Sequence, residues 1–301
     1  IFVRSASGTD RIGRLYQYDL RSDVEELLVD PLNLLVDGEE KLSPEERARR
    51  ERTREAAGGI TSYSSDKKCE VIAFVLSGKL YALEIASKRI REEASAGIVI
   101  DPQLAPDGKS IAYITPEGEL HLSREGKVKV LCTPENPEIF YGTAEFVASE
   151  EMSRHHGFWW SADSKSLFVE RFDQTPVTKI FISDPANPES EPREVRYPFV
   201  GSANVITSLF LLDLEELSRK EITWNPEHEY LCDVNPGDGK VPPLILTMSR
   251  NQRHAEIVAI DPESADGRVI AELKDAAWID LVGGVPAWGP NGELVTHVIH
   301  K

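Results

Sequence analysis

A short turn motif that returns along the chain constrains its fold more than any other feature. The clearest copies are Leu104-Ala105-Pro106-Asp107-Gly108-Lys109-Ser110-Ile111-Ala112-Tyr113 and Trp160-Ser161-Ala162-Asp163-Ser164-Lys165-Ser166-Leu167-Phe168-Val169. Looser copies begin at Trp224 (Trp224-Asn225-Pro226-Glu227-His228) and at Trp288 (Trp288-Gly289-Pro290-Asn291-Gly292), and Thr115-Pro116-Glu117-Gly118 reads as a hairpin inside the first unit. The physics is shared. Pro presets φ for the second position of a turn, Asp or Asn followed by Gly accepts positive φ, and the apolar run behind it forms the next strand. Trp160, Trp224 and Trp288 recur every 64 residues. That exceeds the about 40 to 50 of one four-stranded propeller blade, and longer loops or two blades per interval would absorb the excess.

The predicted class is therefore all-β, a β-propeller, as a single domain over residues 1–301. A β-sandwich is the alternative, but it requires no recurring Trp-x-Pro-Asp-Gly corner. Strands are expected over 70–77, 79–85, 157–171, 178–183, 208–213, 243–248, 256–261 and 268–273. One segment breaks the pattern. Ser43 as N-cap, Pro44 at the first helical position and Glu46 three residues after the cap predict a helix over 43–57, which Gly58-Gly59 ends.

Composition excludes several function classes. The chain has no apolar run of 18 residues and no charged-then-apolar leader, so nothing is expected to enter a membrane. A formal net charge of -17 opposes nucleic acid and anionic lipid and favours cationic partners. Cys69, Cys132 and Cys232 lie far apart with no Cys-x-x-Cys spacing, so neither a disulfide framework nor a zinc site is indicated. A reducing, cytoplasmic location is expected, with no cofactor and no metal. The missing initiator Met and the stop inside an alternating apolar stretch predict a segment of a longer polypeptide.

Two places carry chemistry. The first is Glu145-Phe146-Val147-Ala148-Ser149-Glu150-Glu151-Met152-Ser153-Arg154, just before a turn copy. Two adjacent carboxylates facing a cavity repel each other unless a cation sits between them, so such a pair is a natural receptor for an ammonium group. Acidic doublets are also common in a chain with 51 Asp and Glu, and from the residues alone a solvated turn is the favoured reading. The second place is the helix, where Arg47, Arg50 and Arg54 fall three and four residues apart and share a face. Its plain alternative is a solvated helix with internal Glu–Arg pairs. His155 and His156 have no third ligand at a recognisable spacing and read as packing or surface residues. Tryptophans 159, 160, 224, 278 and 288 read as blade core and packing between blades.

The string Glu145-Phe146-Val147-x-x-Glu150-Glu151-Met152-x-Arg154, then Gly157-Phe158-Trp159-Trp160-Ser161, resembles the double-glutamate motif of the dipeptidyl peptidase IV family. Tyr197-Pro198-x-x-Gly201-x-x-Asn204 is similar to a second family segment, and the Arg-rich helix leading into Gly59-Ile60-Thr61-Ser62-Tyr63 resembles the cytosolic and bacterial members. The resemblance covers nearly the whole chain and implies a propeller of about eight blades. It implies that Glu150 and Glu151 bind the α-ammonium of a peptide with a free N-terminus. An arginine of the helix arm would bind a substrate carbonyl, with Arg54 the first choice and Arg50 the second. It further implies a serine exopeptidase releasing N-terminal X-Pro or X-Ala dipeptides, a C-terminal α/β-hydrolase domain as partner, and possible pairing of the full-length enzyme as a homodimer. No Gly-x-Ser-x-Gly occurs within these 301 residues, so the catalytic domain is absent from this chain and no residue here is expected to be catalytic. A propeller that only docks other proteins is the reading from a different class. Prolyl oligopeptidase-like relatives lack the double glutamate.

Overall fold

The computed structural model describes residues 1–35, 40–42, 47, 50 and 57–297. They form two compact units, one of Ile1–Thr133, Trp159–Leu167 and Asp213–Leu217, the other of Pro134–Phe158, Phe168–Leu212 and Ser218–Lys301. Nearly all regular structure is antiparallel sheet between strands adjacent in sequence. Such meanders are what propeller blades are made of, whereas a sandwich interleaves strands from distant parts of the chain.

In the first unit, Phe2–Arg4, Ile12–Asp19 and Val24–Val29 form one sheet, which Gly58–Gly59 joins in parallel beside Ile12 and Gly13. A second runs Ser64–Ser65, Val71–Leu76, Lys79–Glu84 and Arg89–Glu92, and a third Ile100–Leu104, Ser110–Ile114, Leu120–Arg124 and Lys127–Cys132. In the third sheet the middle strand Ser110–Ile114 is buried throughout, whereas the outer strand Lys127–Cys132 is exposed along much of its first four residues. Leu15, Val29, Ile72, Phe74 and Leu83 join the first two sheets in one core, and Ala73, Leu80, Leu104, Ile111 and Tyr113 join the second and third in another. Each such fully buried side chain stabilises by about 1.5–3 kcal/mol.

The expected turns are present. Gly108, at φ +73°, donates its N–H to the Ala105 carbonyl at 2.9 Å, and Ala105 N–H reaches Ser110 O at 2.8 Å, so Leu104 and Ile111 pair across the hairpin. In the next copy Ser164 takes the left-handed conformation at φ 63° where the first copy has Gly. The stretch 157–171 is consequently two strands, His156–Trp160 and Ser166–Asp173, because the copy at Ser161–Lys165 turns the chain between them. Gly292, at φ +82°, closes the last copy between Ala287–Trp288 and Leu294–Val295.

The predicted helix over 43–57 lies largely outside the described residues, and so does Arg54. Where the segment meets the first sheet it is clamped. Arg50, 5% exposed, donates from Nη2 to Glu40 Oε1 at 2.6 Å and from Nη1 to Glu40 Oε2 at 3.2 Å and Ala57 O at 3.1 Å. Glu40 Oε2 also accepts the Gly59 N–H at 2.6 Å. Gly59 must be glycine here: its φ is +73°, and a Cβ would lie 2.8 Å from the Gly13 carbonyl oxygen.

Ile139–Thr143, His156–Trp160, Ser166–Asp173, Ile206–Asp213 and Arg219–Ile222 belong to one sheet, and in the second unit Lys179–Ile182 pairs with Arg193–Arg196. Tyr230–Asn235, Leu244–Met248, His254–Ile260 and Gly267–Lys274 form a regular four-stranded meander around Leu244, Leu246, Ala255 and Ile257. Trp160 is buried, with its indole N–H on Gln103 O at 2.9 Å. Trp278 departs from the expected core role. At 59% exposure it stands in the irregular segment after Gly267–Lys274, and its indole donates to Asp280 Oδ1 at 3.0 Å.

Candidate functional site

Between Ile139–Thr143 and His156–Trp160 the chain makes one short helix, Phe146–Glu151, that the periodicity of the sequence does not announce. Glu145 is its N-cap: the carboxylate accepts Val147 N–H at 2.7 Å and Ala148 N–H at 2.6 Å. Past the last turn, Ser153 adopts φ 55° and Arg154 N–H returns to the Ala148 carbonyl at 3.0 Å, which stops the helix. Ala148 is fully buried, and Met152 packs against the core of the four-stranded meander.

Two charged side chains fix this loop from beneath. Arg154, 6% exposed, forks onto Glu170, which is wholly buried, with Nη2 to Oε1 at 2.9 Å and a second, shorter contact from Nη1 to Oε2. Arg154 Nη1 also donates to the His156 carbonyl at 2.8 Å. Burial pushes the Glu170 carboxyl up from the ordinary range while the guanidinium opposes it. Glu145 is raised to about 7, first by burial and then by the nearby charge of Glu170, against the two backbone N–H bonds that favour its ionised form.

Glu150 and Glu151 differ. Both are exposed at the C-terminal end of the helix, where the last carbonyls carry partial negative charge and a carboxylate is out of place. Among the described residues no basic side chain lies within ion-pair distance of either. Their Cα–Cβ vectors diverge by about 100° around the helix, as neighbours do, so a ligand held by both would sit over the helix end. The other family-like segment meets this helix: the Tyr197 ring packs edge-on against Phe146 at 5.4 Å and against Phe199 at 5.0 Å.

Of the predicted site residues, Glu150 and Glu151 belong to the second unit. Arg50 belongs to the first, where its guanidinium is committed to Glu40 and to the Ala57 carbonyl. His155 and His156 are exposed, and Ser149 Oγ lies 3.3 Å from His155 Nδ1. The three cysteines are free, and burial pushes the Cys232 thiol up to about 12. A cavity of about 540 Å³ in the second unit is lined by Asn204, Trp224, His228, Glu229 and Arg250 among others, and neither Glu150 nor Glu151 borders it. Asn204, 7% exposed, has both amide atoms without a hydrogen-bond partner. No helix among the described residues is long and apolar enough to cross a membrane.

Comparison with known proteins agrees with this architecture. Solved structures of a dipeptidyl peptidase 4 from Porphyromonas gingivalis and of a putative dipeptidyl aminopeptidase IV from Bacteroides ovatus share the fold. Their TM-scores are 0.70 and 0.62 at 16% and 15% identity; each covers 92% of this chain, and this chain covers 40% and 38% of theirs. In sequence the chain is 30% identical over 204 residues to a probable dipeptidyl-aminopeptidase B of Verticillium alfalfae, an alignment spanning 59% of this chain and 23% of that protein. It is 29% identical over 199 residues to dipeptidyl peptidase 4 of Trichophyton rubrum, spanning 62% of this chain and 25% of that one. The chain thus spans about a quarter of the length of these curated relatives. Residues 63–299 match the family described as dipeptidyl peptidase IV (DPP IV) N-terminal region. With an all-β fold of the propeller class and a match over most of its length, this chain belongs to the dipeptidyl peptidase IV N-terminal family.

Proposed function

We propose that this chain is the substrate-docking part of a serine exopeptidase that releases dipeptides from free N-termini, and that Glu150 and Glu151 receive the substrate's α-ammonium. One observation carries the reading. Two exposed carboxylates without a basic partner among the described residues stand at the helix end where helix electrostatics least favours them, and that helix is capped by Glu145 and fastened by Arg154 and Glu170. An ammonium bound across the pair would relieve their repulsion and gain charge-assisted hydrogen bonds of about 1.5–3 kcal/mol each. Holding the amino end at a fixed distance from the hydrolytic centre selects the bond after the second residue, a positioning effect rather than a chemical one. The nucleophile and its base would come from an α/β-hydrolase domain, since these 301 residues contain no Gly-x-Ser-x-Gly. Arg54, outside the described residues, remains the proposed carbonyl ligand of the arm. Arg50 is the weaker choice because its donors already serve the clamp.

The test is kinetic. In the full-length enzyme Glu150→Gln and Glu151→Gln are each expected to lower kcat/KM for a glycyl-prolyl chromogenic substrate at least tenfold, about 1.4 kcal/mol, while an Nα-acetylated analogue is a poor substrate for every form. Unchanged kcat/KM in both variants would overturn the assignment. The chain by itself is expected to hydrolyse nothing, and a docking scaffold with no peptidase role would show no dipeptide release even at full length.

A further inference from the structure

We propose that His228, His254 and Glu256 form a binding site for one divalent metal ion of the zinc class. One ligand atom from each lies within 4.8 Å of the others, and all three belong to the second unit. His228 enters from the Trp224-Asn225-Pro226-Glu227 turn, while His254 and Glu256 are alternate residues of the strand His254–Ile260 and so project from one face. His228 Nε2 and His254 Nδ1 approach to 3.0 Å. A tetrahedral zinc with bonds of about 2.0–2.1 Å holds two imidazole nitrogens about 3.3 Å apart, so only a small opening of this pair is needed.

The surrounding groups set the imidazoles up as ligands. His254 Nε2 lies 3.2 Å from Glu272 Oε2, and a carboxylate can only accept, so the proton sits on Nε2 and the Nδ1 lone pair points inward. With that lone pair 3.0 Å away, His228 Nε2 carries the proton between the two rings, and its Nδ1, 2.9 Å from the hydroxyl of fully buried Thr247, accepts from it; an ion at Nε2 would move the ring proton to Nδ1, where the same hydroxyl can accept.

The sheet itself independently calls for a cation. Glu256 is 8% exposed, its hydrogen bond comes from Asn225 Nδ2 at 2.9 Å, and among the described residues the one base within 4.0 Å is His254, whose Nε2 lies 4.0 Å from Oε1. Directly across the ladder from Glu256 stands Glu272, a like-charge pairing that costs stability, and Lys274 lies against Glu272 rather than Glu256. A divalent ion on His228, His254 and Glu256 would neutralise this excess. A proton on His254 is the competing occupant.

Tag-free protein stripped with chelator and dialysed against Zn²⁺ alone decides between them, with bound metal measured by elemental analysis and Co²⁺ replacing Zn²⁺ as a spectroscopic probe. One ion per chain is expected, with the visible absorption of a low-symmetry Co²⁺ site. His254→Ala and Glu256→Gln should each weaken Zn²⁺ binding at least a hundredfold. Glu272→Gln, which loses only the orienting carboxylate, should weaken it about tenfold. Wild-type protein that takes up no Zn²⁺ overturns the proposal whatever the variants do, and so does binding of equal strength in folded His254→Ala and Glu256→Gln.

Discussion

Glu145 and Glu170 are carboxylates taken out of water, whereas Glu150 and Glu151, a few residues away on the helix that Glu145 caps, are left in it. The buried pair has its hydrogen bonds supplied by two backbone N–H groups in one case and a guanidinium fork in the other. The exposed pair stands at the negative end of the helix with no described basic neighbour. The difference separates two jobs. Carboxylates that build the loop are enclosed and matched, and carboxylates that await a partner are presented by it.

The sharpest way to break that division is at Arg154. Arg154→Met leaves Glu170 buried without its counter-charge and should cost about 3–5 kcal/mol in urea denaturation, since removing one partner of a buried pair leaves the other uncompensated. A loss below about 1 kcal/mol would place the pair among interactions of surface strength. The double variant Arg154→Met, Glu170→Leu should recover most of the loss, because an apolar pair of similar volume needs no compensation.

Glu145 offers a smaller effect with a defined sign. Its folded pKa of about 7 lies above that of the unfolded chain, so the folded state holds the proton more tightly. The corresponding stability is fully present below the unfolded pKa near 4.3 and is lost as pH rises to about 7, by at most about 4 kcal/mol, after which the dependence on this group is flat. Glu145→Gln, which cannot ionise, should therefore gain stability relative to wild type between pH 5 and pH 7.5, measured as the difference in urea midpoint. A difference that does not move with pH would show that Glu145 is ionised throughout. Smallest of all, Glu150→Gln and Glu151→Gln should change stability by no more than about 0.5 kcal/mol, as expected for exposed positions. A larger stabilisation would measure the strain of two acids at a helix end, and a destabilisation above about 1 kcal/mol would make them part of the scaffold.

The fold was legible where turn chemistry was explicit. Ala105-Pro106-Asp107-Gly108 and Gly289-Pro290-Asn291-Gly292 close hairpins because their residues accept the required φ, and middle strands such as Leu244–Met248 read as continuous apolar runs. The helix Phe146–Glu151 escaped notice because six residues give no periodicity and its N-cap is Glu, outside the usual Ser, Thr, Asp and Asn. The turn Ser249–Gln252 has no Pro or Gly, and Gln252 takes φ 58° instead. Glu150 and Glu151 could be singled out by their motif. Their support could not, although Glu170 set in the apolar run Leu167-Phe168-Val169 was a signal that a buried cation had to be nearby. His228 and His254 are far apart in sequence, and only pairing of Thr247 with Glu256 and the turn above them brings the cluster together.

The clamp of Arg50, Glu40 and Gly59 has a consequence for variation among related chains. Arg50 and Glu40 tie the chain to Gly59 where that residue joins the sheet, and lengthening a loop closed in this way twofold costs only about 0.6 kcal/mol of closure entropy. Sequence changes between Lys41 and Ala57 that keep Arg50 on Glu40 can thus leave the register of Ile12–Asp19 intact.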